Sequence, residues 1–315
     1  MNVELQIFES VISFAVLVAI IYFLRVKNFF REEEGKSFSK LLIDVVLPTM
    51  IFFQLASHQI TANQFVLIFI MFSSGVITIT LSYFIAKLLT KDRQKIGAFM
   101  ITSSFGSSAL LGYPLIKMVF PHNPDALTDA VLISEFGVGL PLYTLCPVIA
   151  KLFSAGKNKE YKFITFLKSY IKSPVFFALI LGIFFSVLKV DFKNSLLAPI
   201  KMLSQILSNG LGLLSCVILG LYLKPKSFRG VILLVIFSAI IEMGFQPFIA
   251  SVQADIFGIG EIHKKILVFI SSMPAAILGT VYAVRYDCAP ETASVISYSH
   301  IIIALFSIPL VNLIM

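Results

Sequence analysis

Five stretches of this chain run for at least 19 residues without an aspartate, glutamate, lysine or arginine: 59–86, 96–116, 202–223, 266–284 and 292–315. A helix rises about 1.5 Å per residue, so about 20 apolar residues cross a ~30 Å hydrocarbon core. Each stretch can therefore span a bilayer. Only 13% of the 315 residues are charged, where a soluble domain carries about a quarter, and the mean hydropathy is +0.94. The solvent of this chain is lipid.

Adding interrupted apolar segments gives ten candidate spans, near 5–25, 38–57, 63–87, 96–118, 128–150, 166–188, 197–223, 230–253, 264–285 and 292–314. Little chain is left over for a soluble catalytic domain, and no enzyme activity is expected. The first apolar run is too long for a signal peptide, holds Glu9 and has no small-residue cleavage site after it, so it reads as a retained span. Cys146, Cys216 and Cys288 lie in or beside spans and give neither a disulfide framework nor a metal spacing. No metal and no cofactor are expected.

The net charge of +8 is topological rather than a nucleic-acid footprint. With the N-terminus outside, the alternate connections place 19 Lys and Arg inside and 6 outside, which fits the positive-inside rule and leaves both termini outside. The charged connection at about 154–172 interleaves Lys157, Lys159, Lys162, Lys168 and Lys172 with Tyr161, Phe163, Phe166 and Tyr170. It reads as an amphipathic helix on the cytoplasmic surface. It separates a first five-helix repeat, 1–153, from a second, 173–315. Five is odd, so the second repeat enters the membrane inverted. Punctuation agrees: Pro114 and Pro274 lie 160 residues apart, Pro147 and Pro309 lie 162 apart, and Pro48, expected to break span two, falls opposite Asn209-Gly210 of span seven. The fold class expected is an all-α membrane protein of ten helices, a 5+5 inverted repeat with broken crossover helices at spans four and nine.

The breaks are expected in Ser104-Phe105-Gly106-Ser107-Ser108-Ala109-Leu110-Leu111-Gly112-Tyr113-Pro114 and in Ser271-Ser272-Met273-Pro274-Ala275-Ala276-Ile277-Leu278-Gly279. Proline removes a backbone donor, and glycine loosens a helix. Non-helical backbone at membrane depth is tolerated only inside protein or along a watery cavity, so paired breaks in matching positions point to a carrier's binding site. Restarting helix ends offer free N–H groups and partial positive charge, which suits a carboxylate. The expected substrate-binding residues are Ser104, Ser107, Ser108, Gly112, Tyr113, Pro114, Ser271, Ser272, Met273, Pro274 and Ala275. The competing reading for the serines is back-bonding to their own helix carbonyls. Glu135 and Glu242 lie in apolar sequence and are candidates for proton coupling. Gln246 follows Glu242 by four residues, so a hydrogen-bonded structural pair competes there; Asp44, four after Lys40, is expected to form a local ion pair. His300 is either a proton relay or a packed, hydrogen-bonded histidine.

The run SSFGSSALLGYPL (103–115) resembles the signature of the auxin efflux carrier family, which includes plant auxin exporters and bacterial malate or malonate permeases. SSMPAA (271–276) resembles that family's second crossover and LPTMIFFQLA (47–56) its span two; the likeness covers essentially the whole chain. It implies a scaffold and a transport body that holds the crossed helices, with elevator-like alternating access. The family commonly has asparagine where Ser107 stands and another near Leu278. The function expected is a secondary transporter of a small organic anion, a mono- or dicarboxylate, auxin-like or malate/malonate-like, in the inner cell membrane. A sodium-coupled bile-acid-type symporter and a non-transporting sensor or channel are the alternatives. The partners expected are that anion and the lipid bilayer, with a homodimer as an option and no nucleic acid.

Overall fold

A computed structural model describes residues 3–31, 33–154, 171–190, 198–223 and 230–314. The amphipathic connection falls almost wholly outside them, as do Lys193, Lys224, Lys226 and Arg229. The regular elements among the described residues are all helices, with no strand: α1 Val3–Val26, α2 Glu34–Ala56, α3 Ala62–Leu89, α4 Arg93–Thr102, α5 Ser108–Val119, α6 Asp125–Leu152, α7 Pro174–Val187, α8 Ala198–Tyr222, α9 Ile232–Ile256, α10 Glu261–Ser271, α11 Ile277–Tyr286 and α12 Pro290–Ile314. Seven of these (α1, α2, α3, α6, α8, α9 and α12) are long and apolar enough to cross a membrane. The other apolar stretches fall short for local reasons. The chain between Arg93 and Val119 leaves helical form after Thr102, that between Glu261 and Tyr286 leaves it after Ser271, and α7 has only 14 residues.

Helix α1 shows why these helices suit lipid. It buries Val11, Phe14, Val18 and Ile21, yet its opposite face presents Val16, Ile20 and Phe23. A helix apolar all round needs either a protein interior or hydrocarbon.

Four π-turns interrupt the helices: Leu42–Val46 in α2, Ser108–Gly112 in α5, Ile133–Gly139 in α6 and Ile241–Phe245 in α9. Each ends two residues before a proline, at Pro48, Pro114, Pro141 and Pro247. The cause is the missing N–H. A proline orphans the carbonyl four residues back and crowds it. A π-turn shifts bonding to i→i+5, and Leu47, Leu140 and Gln246 donate to Leu42, Glu135 and Ile241 in that register. Pro48 therefore does not break span two, contrary to the sequence expectation: α2 runs unbroken through it. Lys40 and Asp44 also fail to pair, because the π-turn between them moves residues four apart off a common face.

The chain divides into two compact units. The first is made of Met1–Ala62, Ala109–Val131 and Lys168–Leu223. Within it α1 and α7 pack against α8 and α2 respectively, and α5 beyond Ser108 packs on α1 and α8. The second takes Asn63–Ser108, Leu132–Leu167 and Lys224–Met315. Within it α12 packs on α4, α9 and α11, while α10 lies along the second half of α9. Each unit draws chain from both sequence halves.

Candidate functional site

In the second unit, α4 and α10 stop where their last turns give way to short extended segments, and these lie side by side. Gly106 and Ala275 form an antiparallel bridge. The Ala276 amide donates to Phe105 O at 2.7 Å, and the Ser107 amide donates to Pro274 O at 2.6 Å. The two interruptions thus satisfy each other's backbone, as buried backbone polar groups require. Gly106 is demanded by this approach: a Cβ there would lie 3.1 Å from Met273 O. Gly279, in the first turn of α11, answers a similar approach, where a Cβ would meet Ile101 O at 3.1 Å.

Helix α11 restarts with Ala276 as its N-cap, a residue with no side chain able to cap, and α5 restarts at Ser108. Pro274 stands in the extended segment and Pro114 lies in the second turn of α5 after its π-turn, so neither opens a restarting helix. The first amides of α11 carry the positive end of that helix's dipole, and no side chain closes it. An anion can be held there without arginine.

The expected serines fall into three groups. Ser104 sits at the interruption with its hydroxyl 3.3 Å from Ser82 Oγ, and Ser103 Oγ lies 3.1 Å from the same Ser82 Oγ and 2.5 Å from Phe99 O. Ser108 is hydrogen-bonded to Ser134 in the π-turn of α6, so it does not share a helix face with Ser104. Ser271 and Ser272 give their protons to Val268 O at 3.0 Å and Phe269 O at 2.8 Å, which is the back-bonding reading. Ser107 contributes its backbone amide to the bridge. Met273, Pro274 and Ala275 form the partner segment. Gly112, Tyr113 and Pro114 belong to the first unit, where Tyr113 is fully buried and Pro114 packs 3.8 Å from the Cβ position of Gly212.

The two acids lie in π-turns. Glu135 is buried next to Ser134, the partner of Ser108. Glu242 is fully buried, and its partner is His300 of α12, not Gln246: Oε2 lies 2.9 Å from His300 Nδ1. His300 Nε2 in turn lies 2.8 Å from Ser238 Oγ. A small cavity with room for about one water is lined by Ser104, Phe105, Gly75, Gly137 and Gln246. In the first unit a wider cavity of about 460 Å³ is lined by Gln54, His58, Lys117, Lys201, Gln205 and Asn209 among others. Lys117 Nζ donates there to Ser208 O at 2.9 Å and Ser208 Oγ at 2.7 Å. No group of three metal-ligating side chains occurs among the described residues, and all three cysteines are buried free thiols.

Residues 6–312 match the family model described as membrane transport protein. An uncharacterized transporter of Methanocaldococcus jannaschii is 25% identical over 96% of this chain and 99% of its own length. An uncharacterized transporter of Methanothermobacter thermautotrophicus is 24% identical over 96% of each. The chain therefore belongs to the membrane transport protein family, that of the auxin efflux carriers, and is a multi-pass integral membrane protein of a transporter lineage.

Proposed function

We propose that this chain is a secondary carrier moving a small organic anion, a mono- or dicarboxylate of the malate or malonate kind, by elevator-like alternating access across the inner membrane. The observation that carries the reading is the antiparallel bridge Gly106–Ala275, which sets the uncapped start of α11 beside the interruption that precedes α5. Such an end binds carboxylates through backbone amides, so the absence of asparagine at Ser107 and near Leu278 does not remove the recognition. Ser104, Ser107, Ser108 and residues 271–275 line the site, with Gly112, Tyr113 and Pro114 following on the restarted helix.

Ten spans in a 5+5 inverted repeat, 1–153 and 173–315, give this reading its architecture. Counting α4 with α5 and α10 with α11 as broken spans, and adding the short α7, raises the seven long helices to ten. The division into units supports it further. Spans one, two, six and seven go to the first unit, spans three, eight, nine and ten to the second, and spans four and five are each divided, so each half supplies its first two spans to the first unit. That is the division expected of a scaffold and a transport body. With both termini outside, the basic connections face the cytoplasm.

The test is uptake of labelled malate and malonate into proteoliposomes by wild type and by Ala276→Pro. Proline accepts the φ of −67° at this position, but it loses the amide bonded to Phe105 O and sets its Cδ where that hydrogen pointed, against the same oxygen, so the substitution parts the two extended segments. Uptake is expected to fall at least tenfold with the protein still folded. Full uptake by this variant refutes the crossing as the site.

A further inference from the structure

We propose that Glu242 and His300 form a buried dyad that binds one exchangeable proton and delivers it to the carrier cycle, a deepening that rests on the carrier reading above. Both side chains are wholly buried, in the second unit, and they stand 58 positions apart in sequence. His300 Nδ1 and Glu242 Oε2 stand 2.9 Å apart, and Nε2 stands 2.8 Å from Ser238 Oγ, which also lies 3.0 Å from Val235 O. The short contact needs one hydrogen between carboxyl and imidazole. With Nε2–H turned to Ser238 that hydrogen is an added proton and the dyad is neutral; with Nε2 accepting from Ser238 O–H the dyad is a carboxylate beside a neutral imidazole. The two states differ by one proton and by the direction of the Ser238 bond.

Losing the proton leaves a net negative charge in a dry interior, and such an ion is held only when another group compensates. The charged groups of the elements packed on α9 and α12 stand at the helix ends away from the crossing: Arg93 and Lys95 on α4, Glu261, His263, Lys264 and Lys265 on α10, and Arg285 on α11. Against this π-turn pack the two halves of α9 and α12. Residues 232–240 of α9 hold no ionisable side chain, and Asp255 at its far end is exposed and paired with Lys264 at 2.6 Å. On α12, Glu291 lies nine residues before His300 in the first turn, and Tyr298 is the other titratable group. The dyad is thus the one place among the described residues around this turn where a proton decides the local charge.

Two buried acceptors at this turn have no protein partner. No protein donor reaches Glu242 Oε1 or Gln246 Oε1, although both are buried. Gln246 lines the small cavity together with Ser104 and Phe105 of the crossing. Gln246 follows Glu242 by four residues on α9, so the small cavity lies between the dyad's own helix and the crossing segment. An anion at the start of α11 disfavours the deprotonated, negative dyad. Proton and anion binding are then mutually reinforcing, as thermodynamic linkage requires, and the carrier moves them together.

The test has two arms. The first needs no cargo. Infrared difference spectra over a pH titration of purified protein, with wild type compared to Glu242→Gln, isolate the carbonyl stretch of a protonated Glu242; ¹⁵N-labelled histidine reports on His300. One coupled titration, lost in Glu242→Gln and displaced in His300→Gln, is expected. Both groups holding one protonation state from about pH 5 to about pH 9 overturn the proposal. The double variant Glu242→Gln, His300→Gln replaces the pair by two neutral amides and leaves no orphaned charge, so it keeps the fold testable should a single variant unfold. The second arm measures malate and malonate in proteoliposomes. The double variant is expected to retain counterflow but to lose at least tenfold of the stimulation by an acid gradient. Stimulation equal to wild type in that variant also overturns the proposal. No uptake by wild type itself would instead count against the carrier reading, while the spectroscopic titration still decides the dyad.

Discussion

Two glycines of α8, Gly210 and Gly220, make an internal comparison of packing against propensity. A Cβ at Gly220 would stand 2.7 Å from Ile21 Cβ and 2.8 Å from the backbone oxygen of Val18. A Cβ at Gly210 meets nothing within 4 Å. Alanine in a helix interior gains about 0.5–1 kcal/mol over glycine, and that gain is common to both sites. At Gly220 helices α1 and α8 must part by roughly 0.6 Å to restore an ordinary contact, and overpacking of this kind costs about 1–3 kcal/mol. Gly210→Ala should therefore stabilise by about 0.5–1 kcal/mol, and Gly220→Ala should fall below it by about 1–3 kcal/mol, or roughly 2–12 °C in apparent Tm. The chain has no tryptophan, but its three cysteines are buried, so a fluorogenic maleimide reports unfolding in detergent. Equal melting of the two variants refutes the close approach of α1 to α8, and with it the packing assigned to the first unit.

Two further outcomes use the same assay. Asp92 caps α4, accepting from the amides of Gln94 at 2.9 Å and Lys95 at 3.3 Å; Asp92→Ala should cost about 1 kcal/mol and Asp92→Asn much less, and equal losses would remove the capping account. Burial pushes the Cys288 thiol up to about 12, so the native protein should resist maleimide at this position until it unfolds, and rapid labelling of folded protein at neutral pH would contradict that environment.

The uncharged runs made the long helices legible, because a bilayer imposes a length and a composition that few other environments share. Proline alone was a poorer guide. Pro48 and Pro274 look alike in sequence, each in an apolar segment, yet one lies in a continuous helix and the other in an extended bridge. The difference is a partner: residues 105–107 supply the hydrogen bonds that let 274–276 leave the helix, and nothing local announces them. The same holds for the hydroxyl and imidazole partners. Ser134 lies 26 residues from Ser108, Ser82 lies 22 from Ser104, and His300 lies 58 from Glu242. Only the fold brings these together. Reading Ser271 and Ser272 as back-bonded needed no partner at all, and that alternative was available from helix geometry.

One expected pair and one competing reading fail for a shared reason, and the reason bears on chemistry. Lys40 with Asp44, and Glu242 with Gln246 as the alternative to proton coupling, rest on α-helical spacing, and a π-turn runs through each. The wider turn is the helix's answer to the proline two residues beyond it. Its consequence at Glu242 is that the carboxyl no longer meets the amide one turn along its own helix and reaches α12 instead, where His300 receives it. Glu135 and Ser134 lie in a turn of the same kind ahead of Pro141, and Ser108 opens another ahead of Pro114. A backbone donor missing from the sequence thus redirects the side chains just upstream of it towards other helices. In a membrane interior, where an ionisable group without a partner is not tolerated, that redirection decides which acids can hold a proton.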